Sequence, residues 1–125
     1  MRRQVIASDE IAPPVGPFSA AVRAGEFLFV SGHAGQHATT GKLIMGDVTA
    51  QTEQVFENIR AVLRAAGKSM ADVLRVGVYL TDMNDFERMN VVYARQFEAP
   101  YPARTTIAVA ALPLGAAVEM DLVVR

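Results

Sequence analysis

Tyr101-Pro-Ala-Arg104-Thr-Thr106-Ile-Ala-Val-Ala-Ala-Leu112-Pro113-Leu-Gly115-Ala-Ala-Val118-Glu119-Met-Asp121-Leu-Val-Val124 decides the fold. Two runs with β-branched residues and period-two alternation flank Leu112-Pro113-Leu114-Gly115, which predicts strand, turn, strand. Successive strand side chains point to opposite faces. In the first run Thr105, Ile107 and Val109 point one way and Arg104, Thr106 and Ala108 the other. In the second, Val118, Met120, Leu122 and Val124 share a face opposite Glu119 and Asp121. One apolar face therefore wants a cover, and the other is expected to carry Arg104, Glu119 and Asp121 together. Arg and Glu are almost never fully buried unless paired. That second face is then either a wet sheet surface, which antiparallel sheets allow, or a pocket. In a pocket, Arg104 would grip a carboxylate with its planar fork and Glu119 would handle a proton.

The chain upstream supplies the cover. Helical spacing of Val48, Thr52, Val55, Phe56, Ile59, Val62, Leu63 and Ala66 predicts a helix over 49–66, stopped by Gly67. Ser69 and Asp72 have capping-box spacing ahead of an apolar strand, 73–80. A second helix is expected from Asn84, with Phe86, Met89, Tyr93 and Phe97 as its buried stripe and Pro100 and Pro102 beyond its end. Before the first helix, residues 3–7 read as a short strand, and 18–24 with 27–31 as a hairpin turning at Gly25-Glu26. Residues 32–41 read as a loop and 42–45 as a short edge strand. Crossovers between parallel strands are right-handed. Both helices should therefore lie on one face, giving an α+β two-layer sandwich of one mixed sheet with a bare side. Phe27 and Phe29 face one way and Leu28 and Val30 the other, so that bare side should be apolar enough to need a partner. A homo-oligomer packed through bare sheet faces follows, with Arg104 and Glu119 at subunit boundaries.

At 125 residues the chain is expected to be one domain, 1–125, burying about two-thirds of its unfolded surface. Hydrophobic residues make up 51% and charged residues 20%, as in compact globular proteins. A net charge of −1 speaks against nucleic acid as a partner, because binding a phosphate backbone rests on neutralising many phosphates. The sequence has no cysteine, so thiol nucleophiles, disulfides and Cys-ligated zinc drop out. Neither a signal-peptide pattern nor a span of about 20 apolar residues is present. The expectation is a soluble cytoplasmic protein with no membrane partner.

Other candidates for chemistry are few. Asn90 lies within the buried stripe of the second helix, and a buried amide needs partners. It either ties down a nearby loop or meets a ligand. Ser31-Gly32 ends a strand where backbone can approach a ligand closely, or is a plain turn. His33 and His37 are the only histidines and lack nearby Cys or carboxylate, so no metal site is expected. No phosphate-binding glycine motif and no G-x-S-x-G elbow occurs.

The segments Ala12-Pro-Pro-Val-Gly-Pro-Phe18-Ser19, Phe27-Leu-Phe-Val-Ser31-Gly32, Gln51-Thr with Asn58, Val78-Tyr-Leu-Thr-Asp-Met83, Asn90-x-x-Tyr93, Pro102-Ala-Arg104-Thr and Leu112-Pro with Val118-Glu119-Met-Asp121 together resemble the Rid (YjgF/RidA) family, in order and over nearly the whole chain. The resemblance implies a chorismate-mutase-like fold, a homotrimer with pockets between subunits, and a cofactor-free deaminase. Such an enzyme hydrolyses reactive 2-imino acids to 2-oxo acids and ammonia. It implies further that Arg104 binds the substrate carboxylate and Glu119 handles water and proton. Backbone at Gly32 and Thr106 would line the site, with Phe18, Ser31 and Asn90 near it. Three positions depart from the family pattern: Phe18 stands for a frequent tyrosine, Thr106 for a cysteine and His33 for a glutamine. A non-catalytic module binding small metabolites such as 2-oxo acids, and a ribonuclease or translation inhibitor, are the alternative readings.

Overall fold

The computed structural model describes residues 2–125. Its strands are β1 (Gln4–Ile6), β2 (Ala21–Ala24), β3 (Phe27–Ala34), β4 (Val73–Leu80), β5 (Ala103–Ala108) and β6 (Val118–Val124), and its helices are α1 (Val48–Ala65) and α2 (Phe86–Ala94). All six strands form one sheet in the order β1-β2-β3-β6-β4-β5. Only β4 and β5 are parallel; every other pair is antiparallel. The architecture is the expected α+β arrangement of one mixed sheet and two helices.

The last strand takes the centre. Strand β6 is hydrogen-bonded to β3 on one side and β4 on the other. Val118, Met120, Leu122 and Val124 are buried beneath the helices, while Glu119, Asp121 and Val123 are half-buried on the other face. The expected strand-turn-strand therefore exists, but β5 and β6 do not pair: β4 separates them.

That separation overturns one expectation. Directly paired residues share a face, and β4 sets the parity between β5 and β6. Arg104 pairs with Val76, which pairs with Leu122, all in the helix-facing row. Glu119 pairs with Tyr79, which pairs with Ile107, in a row on the open face. Arg104 and Glu119 thus lie on opposite faces of the sheet. Alternation fixes which residues of one strand point together; it cannot fix phase across a third strand.

The helices form where spacing places them, and their ends have local causes. Asp47 caps α1 by accepting from Ala50 N–H (3.2 Å). The other end closes with Gly67 at φ 72° and Lys68 N–H donating to Leu63 O (2.8 Å), a left-handed cap that a side chain would strain. The second helix starts at Phe86, later than predicted, because Met83–Asp85 forms a single tight turn with Asp82 accepting from Asn84 N–H (2.9 Å). Phe56 of α1 packs edge-on against Tyr93 (centroids 5.8 Å apart) and Phe97 (6.0 Å), locking the two helices together. Residues 42–45 form no strand; one bridge joins Gln36 to Leu43.

Two buried amides pin the loops that reach toward the open end of β3. Asn58 donates to Ala34 O (3.2 Å) and Gln36 O (2.9 Å), and Gln51 accepts from Ala117 N–H (2.8 Å). Among the described residues no helix is long and apolar enough to cross a membrane.

Asn58→Ala would leave two carbonyls without their side-chain donor, so an unfolding free energy lower by about 2–4 kcal/mol is expected from denaturant titration. A loss within about 0.5 kcal/mol would show that water replaces the amide without cost.

Candidate active site

The structure sorts the sequence-predicted residues into two half-sites. The first is a cleft of about 360 Å³ whose wall includes Phe18, Ser31, Gly32, His33, Leu114 and Glu119. A larger hollow of about 790 Å³, formed by segments around Ile6, Ile11 and Phe18, contains neither Arg104 nor Glu119.

A β-bulge builds the floor of the cleft. Val30 pairs with Leu122 and His33 with Met120, so Ser31 and Gly32 together oppose Asp121. Bulges bend a strand and re-aim its side chains. Strand β3 consequently runs on to Ala34, beyond the predicted end at Ser31. The side chain of Glu119 lies directly over Gly32: a methyl group there would stand 2.8 Å from Cδ and 2.9 Å from Oε2. Glycine lets the carboxylate lie here; a Cβ would make it shift. Ser31 Oγ donates to Ser19 O (2.6 Å), which ties the 12–19 loop to the bulge. Leu114 stands at the cleft in the left-handed region (φ 64°), where a side chain is strained.

Electrostatics sets Glu119 apart. Burial, and secondarily the charge of Asp121, push its carboxyl above the usual carboxylate range. Asp121 accepts from Tyr79 Oη (3.0 Å), and that bond is the main reason the phenol holds its proton more tightly than usual. Burial makes His33 harder to protonate, and its Nε2 lies 3.3 Å from Ala20 O. His37 belongs to the loop beyond, its Nδ1 accepting from Thr39 N–H (3.1 Å).

The second half-site is on the other face, at the sheet's β5 edge. Arg104 Nη1 donates to Asn90 Oδ1 (2.7 Å), and its guanidinium carbon sits 4.6 Å from the centroid of Tyr93 and 5.6 Å from that of Phe86. Asn90 thus holds the arginine, and among the described residues its side chain bonds to no loop carbonyl. The aromatic faces hold the cation by cation–π attraction. Among the described residues Arg104 forms no salt bridge, and neither does Glu119. A half-buried guanidinium with one edge bound and no acid opposite it is suited to receive a carboxylate bidentately. Thr106 lies in the same helix-facing register, paired with Val78, and its Oγ1 is buried without a partner, as is the phenol oxygen of Tyr93.

The residues matched by this arrangement extend over most of the chain: the family described as Endoribonuclease L-PSP matches residues 9–125. The chain belongs to the Rid family. RidA from an Antarctic Psychrobacter species superposes with a TM-score of 0.94 at 43% identity, covering 98% of this chain and 99% of that one. Escherichia coli TdcF with bound serine gives 0.91 at 33% identity, covering 98% of both. Among Rid relatives, a RutC family protein of Pyrococcus horikoshii is 45% identical over 97% of this chain and 96% of its own. A 2-iminobutanoate/2-iminopropanoate deaminase of Dermatophagoides farinae is 38% identical over 95% and 94%.

Set within the Rid fold, Phe18, Ser31, Gly32 and Glu119 gather in one place and Asn90, Arg104 and Thr106 in another. No single chain brings the two groups together. The Tyr79–Asp121 pair beside Glu119 was not anticipated; its signal was Asp121 two positions from Glu119 with a tyrosine in an apolar strand. The bulge also had a signal, the glycine inside an otherwise regular strand run.

Asp121→Asn should lower the Glu119 carboxyl toward its ordinary range while leaving it above a free glutamate, since burial remains the larger cause. Carboxyl-carbon NMR over a pH series reads this directly. An unmoved Glu119 would mean that Asp121 exerts no field on it.

Proposed function

We propose that this chain is a cofactor-free hydrolase of reactive 2-imino acids, working in a homotrimer at sites shared between two copies. One observation carries the reading: Arg104 and Glu119, each without an ionic partner, sit on opposite faces of one sheet. A small substrate can meet both only if a second copy brings its Arg104 edge to the first copy's Glu119 cleft. The open face offers the area for such contact. Phe27, Phe29, Val5 and Ile107 are all exposed there, flanking Tyr79 and Asp121. The deaminase name carried by one relative and the serine held by TdcF support a small amino-acid-like substrate.

In this reading Arg104 clamps the substrate carboxylate and Asn90 keeps the fork aimed. The imine carbon is thereby fixed over the cleft, which supplies orientation rather than chemistry. Water adds its oxygen to the carbon of the C=N bond as Glu119 accepts one proton. Glu119 passes that proton to the imine nitrogen, forming a carbinolamine. It then takes the carbinolamine hydroxyl proton and delivers it to nitrogen as the C–N bond breaks and the C=O bond forms, so that the 2-oxo acid and ammonia leave. A carboxyl pushed upward by burial is, once ionised, the stronger base for the first step.

The test generates imino acids with an amino-acid oxidase while semicarbazide traps whatever survives. The parent should suppress trapping. Arg104→Ala should raise KM and lower kcat/KM by a factor on the order of 10². Glu119→Gln should keep binding and lose about 10²–10⁴ in kcat. As pH falls, Glu119 takes up its proton earlier than a free glutamate. The acid limb of the parent should therefore lie above the ordinary carboxylate range and be missing in Glu119→Gln. A parent that binds 2-oxo acids yet leaves trapping unchanged would instead be a metabolite-binding module.

A further inference from the structure

We propose that His33 is a specificity-determining residue, reading a hydrogen-bond donor on the substrate's side chain and favouring hydroxyl-bearing 2-imino acids over aliphatic isosteres. The inference rests on the hydrolase reading above and deepens it from substrate class to side-chain preference. Strict alternation from Val30 would put His33 in the open-face row with Glu119. The bulge at Ser31-Gly32 pairs it with Met120 in the helix-facing row instead, yet the residue still lines the cleft that Glu119 lines.

The ring's hydrogen-bonding state follows from its surroundings. Burial keeps it neutral, so one nitrogen carries a proton and the other a lone pair. Ala20 O can only accept, so Nε2 is the protonated nitrogen, at 3.3 Å. Nδ1 is then an acceptor. It has no partner among the described residues and is not among the fully buried atoms that lack one, so it is an accessible acceptor on a residue that lines the cleft.

The rest of the wall sharpens the preference. Pro13, Val15, Phe18 and Leu114 are apolar there. The donors of Ser31 and Gln36 are spent on Ser19 O (2.6 Å) and Gly41 O (2.9 Å), so a substrate acceptor finds no donor in them. Glu119 is occupied with water and proton transfer. A substrate hydroxyl placed in this cleft finds His33 Nδ1 as a neutral acceptor, whereas a methyl group would leave that nitrogen facing carbon. A buried polar group left unpaired is what makes such a site discriminate.

The decisive pair of substrates differs by OH against CH3 at one position: 2-imino-3-hydroxybutanoate and 2-imino-3-methylbutanoate, each made in situ by oxidation of the amino acid. The parent should hydrolyse the hydroxyl compound with the higher kcat/KM. His33→Leu should cut the hydroxyl-to-methyl ratio by about tenfold, and His33→Gln, which keeps an acceptor, should hold it within about threefold of the parent. An unchanged ratio in a folded His33→Leu, or a parent that prefers the methyl compound, overturns the inference while leaving the hydrolase reading intact. A parent that turns over neither these nor simpler imino acids overturns both. Should His33→Leu fail to fold, the parent's own preference and the glutamine variant still decide.

Discussion

The ladder that seats β6 between β3 and β4 holds the rest of the molecule in place. Its buried row completes the core under both helices. Its outer row presents Glu119 and Asp121 between Gly32 on one neighbour and Tyr79 and Gly77 on the other. The flanking glycines give both acids room: a Cβ at Gly32 would make the end of Glu119 shift, and one at Gly77 the end of Asp121. The acids are therefore fixed by a central strand and by the absence of side chains beside it, which gives more rigid placement than a loop could.

Strand β5 is fixed differently. It is the edge, held only by β4, and its register turns Arg104 toward α2 rather than toward the acids. There Asn90, Tyr93 and Phe86 restrain a cation that has no counter-charge. An aromatic seat and a single amide satisfy part of a guanidinium's hydrogen-bonding capacity and leave the remainder for a ligand. Each half-site is thus well made and chemically incomplete. In the proposed reading a second copy supplies what the first lacks, and the open sheet face with its exposed phenylalanines offers it an apolar surface.

Much of this was legible in the residues. Strong periodicity gave the α1 stripe and the alternating β6, because each depends only on local spacing. The face of Arg104 relative to Glu119 was not legible. It depends on which strand lies between β5 and β6, and no local pattern carries that information. His33 was visible as a histidine in a glycine-bearing segment, but the bulge that pairs it with Met120 breaks the simple alternation that would have placed it. The role of Asn90 needed the partner across the fold. Family resemblance named Arg104 and Glu119 as a pair; the register shows why one chain cannot use them as one.

The central claim, that Arg104 of one copy works with Glu119 of another, is tested by mixing two inactive variants. Arg104→Ala and Glu119→Gln chains, refolded or co-expressed together, should regain activity at up to about a quarter of the sites, those that pair an intact arginine with an intact glutamate. Mixtures that associate fully yet stay as inactive as either variant alone would contradict it.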